Sequence, residues 1–170
     1  MKAYAGIGSR ETPLDFEQVI KEITTFMDKL GYVTRSGGAP GADTMFGTHS
    51  KLQEIYLPWR GFNGSTSELS LDNMPKELVK KAEIIAQEYH PRWSQLSDAA
   101  KRLMTRNTFQ ILGSNLEDPV KLVICWTSGG LMLGGTSQAM RIARHLEIPI
   151  FNLYHANTLY DIKLFIHNLC

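Results

Sequence analysis

Residues 120–126, VKLVICW, form the most apolar run of the chain. A short continuous apolar run is typical of a strand that is buried on both faces of a parallel sheet. The glycine-rich segment Thr127–Gly135 follows it, and Thr136–Leu146 then has the pattern of a helix. This order predicts a central strand with a glycine loop at its carboxyl end, which is where α/β sheets bind ligands.

Outward from this run, strand and helix patterns alternate along the chain, which predicts a mainly parallel sheet of about five strands with helices on both faces. We therefore expect an α/β fold, a single Rossmann-like domain over residues 1–170. The predicted strands are Ala3–Ile7, Tyr32–Ser36, Ile55–Leu57, Val120–Trp126 and Ile148–Leu153. The first predicted helix begins with Thr12 as its N-cap and Pro13 as its first residue, and its apolar stripe runs to Leu30. The other predicted helices are Ala42–Leu52, Pro75–Tyr89, Asp98–Leu112, Thr136–Leu146 and Thr158–Leu169.

The composition of the chain limits the classes of function that it can have. The chain has 170 residues, 43% hydrophobic and 21% charged, with a formal net charge of +1. A dedicated duplex-DNA binder usually has a strong basic excess, so nucleic acid is predicted to be an unlikely partner, although a local basic patch is not excluded. Cys125 and Cys170 give neither a disulfide framework nor a zinc set. No signal peptide or membrane span is visible, so we expect a cytoplasmic protein with no membrane partner, metal or cofactor.

Three loops that follow strands carry the candidate chemistry. Glycines let a backbone approach a ligand, and a helix start offers free N–H groups to an anion. The predicted ligand residues of these loops are Gly8, Ser9 and Arg10 after the first strand, Ser36, Gly37 and Gly38 after the second, and Gly134, Gly135 and Thr136 after the central one. The loops contain no GxxxxGK[ST] phosphate loop. They also lack the dinucleotide fingerprint GxGxxG, because Glu11 stands where its third glycine belongs.

Charged and aromatic residues near these loops complete the predicted site. Arg106 and Asn107 lie where the apolar stripe of their helix is interrupted, and a buried arginine needs either an internal carboxylate or a ligand phosphate. Asp43 is either a helix-dipole residue or, with Glu11, a candidate catalytic carboxylate. Trp59 is either a base-stacking ring, part of a self-packed loop or a dimer surface. Trp126 is either a core residue or a base contact.

Together these segments resemble the SLOG superfamily, which includes the DNA-processing DprA/SMF proteins and the Lonely Guy phosphoribohydrolases. The matching segments are AGIGSRETP (5–13), VTRSGGAPGAD (33–43), LMTRNTFQILG (103–113), GGTSQAMRIA (134–143) and IPIFNL (148–153). The first part is also similar to small stand-alone members from tailed phages. The resemblance implies a Rossmann-like fold with a nucleotide cleft, a phosphate site at Arg106 and Gly134–Thr136, and a homodimer or higher homo-oligomer.

The sequence departs from the Lonely Guy pattern PGGxGTxxE in two respects, because both the proline at its start and the glutamate after the threonine are absent. Gln138 and Ala139 stand where that family's motif has its catalytic glutamate. Glycosidic cleavage needs a carboxylate, so Glu11 and Asp43 become the candidates for it. We therefore expect binding of a nucleotide-type small molecule, with cleavage of the N-glycosidic bond of a nucleoside 5′-monophosphate. The alternatives are a non-catalytic sensor or sink for a nucleotide signal, and a DprA-like binder of single-stranded DNA.

Overall fold

A computed structural model describes residues 1–169 of the chain, and Cys170 lies outside the described residues. It has five parallel strands in one sheet, in the order β3-β2-β1-β4-β5. The strands are β1 (Ala3–Gly8), β2 (Val33–Ser36), β3 (Gln53–Ile55), β4 (Val123–Trp126) and β5 (Ile150–Asn152). The α-helices are α1 (Glu17–Lys29), α2 (Ala42–His49), α3 (Lys76–Tyr89), α4 (Asp98–Leu112), α5 (Thr136–His145) and α6 (Thr158–Leu169). The predicted Rossmann-like α/β fold is confirmed.

Helices cover both faces of the sheet. Successive side chains of a strand point to opposite faces, so each buried strand packs against helices on both sides. Along β4, Val123 and Cys125 pack with α4 and α5. Ile124 and Trp126 pack on the other face, with α1, α2 and α6. The apolar run that dominates the sequence therefore supplies two cores. None of the helices in residues 1–169 combines the length and the apolar character that a membrane crossing requires.

Three predicted boundaries were wrong for identifiable reasons. The third strand ends at Ile55, because Leu57 leaves the sheet and exchanges backbone hydrogen bonds with the following long loop. Thr12 does not cap the first helix: its hydroxyl donates to the carbonyl of Ser9, and a 3-10 turn precedes α1. The central strand starts at Val123 because Val120 N–H donates to the carbonyl of Ile111 in α4. The other boundaries differ by a few residues at most.

The strand order decides where a ligand can bind. From β1 the chain winds to β2 and β3 on one side, and the later strands β4 and β5 lie on the other. The order therefore reverses between β1 and β4, and the crevice beyond the carboxyl ends at such a switch point is the usual ligand site of open α/β sheets.

Candidate functional site

A cavity of about 470 Å³ opens at this switch point, a size typical of small-molecule sites. Its walls come from the loops after β1, β2 and β4, from α4, and from the first turns of α2 and α5. The residues from the sequence-based site that line it are Gly8, Ser9, Arg10, Glu11, Asp43, Arg106, Asn107, Gly134, Gly135 and Thr136. The structure thus brings together groups that are distant in the sequence.

Arg106 is the most buried cation of the cavity, with 5% of its surface exposed. Its Nη1 donates to the carbonyls of Gly37 and Tyr56, and its Nε donates to Asn107 Oδ1 at 3.0 Å. The ring of Phe62 lies 5.7 Å from the guanidinium carbon. No carboxylate oxygen among the described residues lies within 4.0 Å of its nitrogens, and its Nη2 has no hydrogen-bond partner there. The internal carboxylate that the sequence left open as its partner is therefore not in contact.

Asp43 is the buried carboxylate of the cavity and ties two loops together. It accepts the N–H of Gly8 at 3.2 Å and that of Ala39 at 3.4 Å, so it joins the ends of β1 and β2. Burial raises the pKa of Asp43 to about 6, although nearby Arg106 and these N–H groups act in the opposite direction. Burial likewise lowers the pKa of Arg106 to about 10, which leaves it a cation at neutral pH.

Asn107 joins the arginine to the glycine loop that precedes α5. Its Oδ1 accepts from Arg106, and its Nδ2 donates to the carbonyl of Gly135 at 3.0 Å. Gly135 is the residue before α5, and no side chain caps that helix. The uncapped N–H groups of Gly134, Gly135 and Thr136 therefore adjoin the same cavity as Arg106, an arrangement suited to an anion.

Arg10 and Glu11 are the exposed charges at the rim of the cavity. Arg10 is near enough to Arg106 to oppose its protonation electrostatically. With Asp43 and Arg106, the lining therefore carries two arginines and two carboxylates. The buried arginine and the α5 terminus are the features that make its inner part attractive to an anion.

Ser36, Gly37 and Gly38 support the site from behind and do not line the cavity. Ser36 is fully buried, and its hydroxyl donates to the carbonyl of Asp43. A Cβ atom on Gly37 would collide with the side chains of Arg106 and Gln110, so glycine at this position makes room for both. Gly38 has a positive φ of 66°, which glycine adopts without strain.

The structure places neither tryptophan in the cavity. Trp126 points to the opposite face of the sheet, where it packs against Phe16 and Tyr154, because its strand alternates. Trp59 packs edge-on against Phe62 at 5.2 Å, and Phe62 in turn covers Arg106. Both tryptophans therefore support the structure around the site rather than face its interior.

Several lining residues were not in the sequence-based site. The apolar members are Ile7, Ala39, Leu103, Met104 and Leu133, and the polar ones are Gln110, Thr127 and Ser128. Gln110 and Leu103 could have been found from their spacing, because they lie four and three residues from Arg106 on one helix. The lining thus combines a polar, cationic part with an apolar wall.

Gln138, at the position of the catalytic glutamate of the Lonely Guy motif, is a structural residue here. It is fully buried, its Nε2 donates to the carbonyl of Ala86 at 2.7 Å, and its Oε1 accepts from Arg141 at 2.8 Å. It therefore fastens α5 to α3 and does not line the cavity. Within residues 1–169, no group of three or more His, Cys, Asp or Glu side chains is placed to hold a metal ion.

Comparisons with known proteins give one structural relative. No family model and no curated protein matches the chain. A solved structure of DNA processing protein A from Helicobacter pylori, described for its mode of single-stranded DNA binding, matches with a TM-score of 0.52 and 16% sequence identity. The match covers 89% of this chain and 64% of that one.

The comparison corrects the prediction that nucleic acid is an unlikely partner. That prediction rested on the net charge of the whole chain, and it is wrong, because a protein of the same fold binds single-stranded DNA. Net charge averages over the whole surface and does not describe the local charges of a cleft. The predicted cytoplasmic location, homo-oligomer and phage origin remain predictions. This chain has a Rossmann-like fold of the type found in DNA processing protein A, as its similarity to the SLOG superfamily implied.

Proposed function

We propose that this protein binds single-stranded nucleic acid and holds a phosphate of the strand in the cleft, between Arg106, Arg10 and the N-terminus of α5. The observation that carries this proposal is the buried guanidinium of Arg106, whose Nη2 is unpartnered within residues 1–169 and whose charge no contacting carboxylate balances. Burying a cation in this way is costly unless a partner arrives from outside. A phosphate oxygen supplies both the charge and the acceptor.

Two further features favour a nucleotide strand over a simple anion. The wall of Leu103, Met104 and Leu133 offers apolar surface beside the cationic part, which suits the sugar or base attached to a phosphate. The relative with this fold, DNA processing protein A, binds single-stranded DNA. Exposed Arg10 at the rim is then placed to meet the phosphate of a neighbouring nucleotide.

A salt titration of DNA binding tests this proposal. Fluorescence anisotropy with a labelled single-stranded oligonucleotide should show binding that weakens as salt rises, because phosphate contacts release counterions. Arg10→Gln should reduce the affinity about three- to tenfold and lower the salt slope by about one, the contribution of one phosphate contact. Arg144→Gln, which removes an exposed charge from the far end of α5, is the matched control. If both variants bind as the wild type does, Arg10 makes no phosphate contact. If the wild-type protein itself does not bind the oligonucleotide, the proposed function is wrong.

A second candidate function is binding of a free nucleotide with hydrolysis of its N-glycosidic bond. Asp43 favours it, because burial raises the pKa of this carboxyl to about 6 within the same cavity. Such a group titrates near neutral pH and suits general acid–base chemistry, with water as the nucleophile at the sugar carbon. Exposed Glu11 on the rim is the other carboxylate within reach of the cavity.

Chromatography of nucleoside 5′-monophosphates after incubation with the protein separates these functions. A hydrolase releases free base, and Asp43→Asn or Glu11→Gln then lowers the rate without abolishing binding. Recovery of the whole panel unaltered, with binding intact, rejects hydrolysis and favours a sensor or a strand binder. Competition between a mononucleotide and an oligonucleotide of equal phosphate concentration then distinguishes those two, because extra contacts along a strand raise its affinity.

A further inference from the structure

Thr127, the first residue after β4, has a hydroxyl proton that finds no acceptor within residues 1–169. The residue is 1% exposed and lines the cleft. Its Oγ1 accepts a hydrogen bond from Asn152 Nδ2 at 2.6 Å and makes no other in that part of the chain. A hydroxyl oxygen that accepts in this way still has its own proton to donate. This donor is therefore available to a ligand in the cleft.

The direction of the hydrogen bond between Asn152 and Thr127 is fixed by the backbone. Asn152 Oδ1 accepts two backbone N–H groups, that of Thr127 at 3.3 Å and that of Tyr154 at 3.1 Å. A backbone N–H can only donate, so this side of the amide must be its oxygen and the other side must be its NH2 group. The amide therefore donates to Thr127 Oγ1, and the hydroxyl proton must point elsewhere.

The other buried threonines show that an unpaired hydroxyl proton is unusual in this protein. Six more threonines are buried within residues 1–169, and each donates to a carbonyl or hydroxyl oxygen of the chain. They are Thr12, Thr24, Thr34, Thr105, Thr108 and Thr158. Buried polar groups are nearly always hydrogen-bonded, so the exception at the wall of the cleft requires an explanation. A ligand oxygen that accepts the proton supplies one.

Further donors without a partner adjoin this hydroxyl. The backbone N–H groups of Ser128 and Arg10 have no acceptor among the described residues. The two segments lie side by side, because the N–H of Ser9 donates to the carbonyl of Trp126 at 3.0 Å. Ser128 and Arg10 also line the cleft. A group of donors suits an oxygen that only accepts, and the charge of the Arg10 side chain favours an anionic one.

This group of donors lies across β1 from Arg106. Arg106 donates to the carbonyls of Gly37 and Tyr56, which directly follow β2 and β3. Thr127 directly follows β4, and β1 separates β2 from β4 in the sheet. Neighbouring strands lie about 4.8 Å apart, so the ends of β2 and β4 are about 10 Å apart. This spacing suits two phosphates that a sugar separates better than the phosphates of a pyrophosphate group, which share one oxygen.

We infer that the cleft binds two successive phosphates of a strand, one at Arg106 and the N-terminus of α5, and the next at the Thr127 hydroxyl and the N–H groups of Ser128 and Arg10. This inference rests on the proposed function and adds a specificity-determining residue to it. Thr127 then favours a ligand whose two phosphates are joined through a sugar over a ligand whose phosphates are joined directly.

Isothermal titration calorimetry with two thymidine nucleotides tests the inference. Thymidine 3′,5′-bisphosphate carries its phosphates on either side of the sugar, whereas thymidine 5′-diphosphate carries both on one side. The wild-type protein should bind the bisphosphate about tenfold more tightly, an effect typical of hydrogen bonds to a charged group. Thr127→Val, which replaces the hydroxyl by a methyl group of similar size, should lose most of this preference while its affinity for the diphosphate stays the same.

Three control variants accompany this measurement. Thr127→Ser keeps the hydroxyl and should keep the preference for the bisphosphate. Thr25→Val makes the same chemical change at an exposed position of α1 and should behave as the wild type. Thr127→Ala replaces the valine variant if the latter does not fold. A lower melting temperature of Thr127→Val with an unchanged preference for the bisphosphate would show that the hydroxyl serves the fold alone, and would overturn the inference.

The outcomes also separate this inference from the proposed function. If the wild type binds the two nucleotides equally, or if Thr127→Val retains the wild-type preference, the inference is wrong. The proposed function then still stands, provided that the oligonucleotide binds with the expected salt dependence. If the oligonucleotide does not bind at all, both the proposed function and the inference are wrong.

Discussion

Two buried arginines of this protein have opposite surroundings. Arg35, on β2, is 1% exposed and forms ion pairs at 2.7 Å with Glu54 and with Asp118. Although burial acts against its charged form, the hydrogen bonds to Asp118 and Glu54 raise the pKa of Arg35 above its ordinary value. Arg106, on α4, is nearly as buried, and its hydrogen bonds go only to neutral carbonyl and amide oxygens.

The difference shows which of the two cations is available to a ligand. Glu54 and Asp118 neutralise the charge of Arg35, and these ion pairs link β2 to β3 and to the segment around Asp118, away from the cleft. Burial lowers the pKa of Arg106, and Asp43, which lies nearby but not in contact, offsets this effect only in part. A buried arginine therefore indicates a ligand site when no carboxylate contacts its guanidinium and a cavity adjoins it.

The largest expected effect is on stability, at Arg35. Arg35→Gln removes both ion pairs and leaves Glu54 and Asp118 facing each other across the gap, so we expect the free energy of unfolding to fall by about 3–5 kcal/mol. Urea denaturation followed by circular dichroism measures this change. Arg144→Gln, at an exposed site, should change the free energy by less than about 0.5 kcal/mol. A loss at Arg35 no larger than that of this control would contradict the structural role.

The next effect is a dependence of stability on pH that Asp43 introduces. Since burial raises the pKa of Asp43 from 3.8 to about 6, the folded protein keeps a proton that the unfolded chain releases. Its contribution to stability is fully present below about pH 4 and is lost as the pH rises through about 6, by an amount on the order of 3 kcal/mol. The unfolding free energy of Asp43→Asn should lack this component when the two proteins are compared from pH 4 to pH 7.

The same carboxyl predicts the pH dependence of binding. Below about pH 6 Asp43 becomes neutral, so the cleft holds Arg10, Arg106 and Glu11 as its remaining charges, and an anion should bind more tightly. The ligand for this measurement should be a strand without terminal phosphates, because phosphomonoesters themselves titrate near pH 6. An affinity that is flat between pH 5 and pH 7, or the same pH profile in Asp43→Asn, would show that Asp43 does not act on the bound anion.

The smallest expected effect is at Asn107, which positions Arg106 relative to the glycine loop. Asn107→Ala should weaken strand binding by about fivefold, roughly 1 kcal/mol, because both hydrogen bonds are lost. In the background of Arg106→Gln the same change should have almost no further effect on affinity, since coupled residues are not additive. Asn168→Ala, exposed on α6, is the control. Fully additive losses would mean that Asn107 acts independently of the arginine.

The sequence was sufficient for the fold and for the location of the cleft. The helices α4 and α6 were predicted with their observed bounds: an apolar stripe indicated α6, and Gly113 marked the end of α4. The convergence of Arg106 with Gly8 and with Gly134–Thr136 followed from topology, since loops after parallel strands share one edge of the sheet.

The remaining features depend on tertiary neighbours that the sequence does not reveal. Trp126 ends a run that is apolar at almost every position, so no alternation shows which face of the sheet it takes. Gln110 and Gln138 are the same residue type on two sheet-covering helices, and only the backbone that packs against each decides which amide is paired. The interpretation of Asp43 as a residue that joins two loops likewise required the observed position of Gly8.

The most direct test of the central claim measures strand affinity and stability together in Arg106→Gln and Arg35→Gln. We predict that Arg106→Gln lowers the affinity for a single-stranded oligonucleotide by at least about tenfold and the free energy of unfolding by less than about 2 kcal/mol. Arg35→Gln should show the reverse, a large loss of stability with near-normal affinity at a temperature where it is folded. Unchanged affinity in Arg106→Gln, or a loss of stability as large as that of Arg35→Gln, would contradict the claim that Arg106 is held for a ligand.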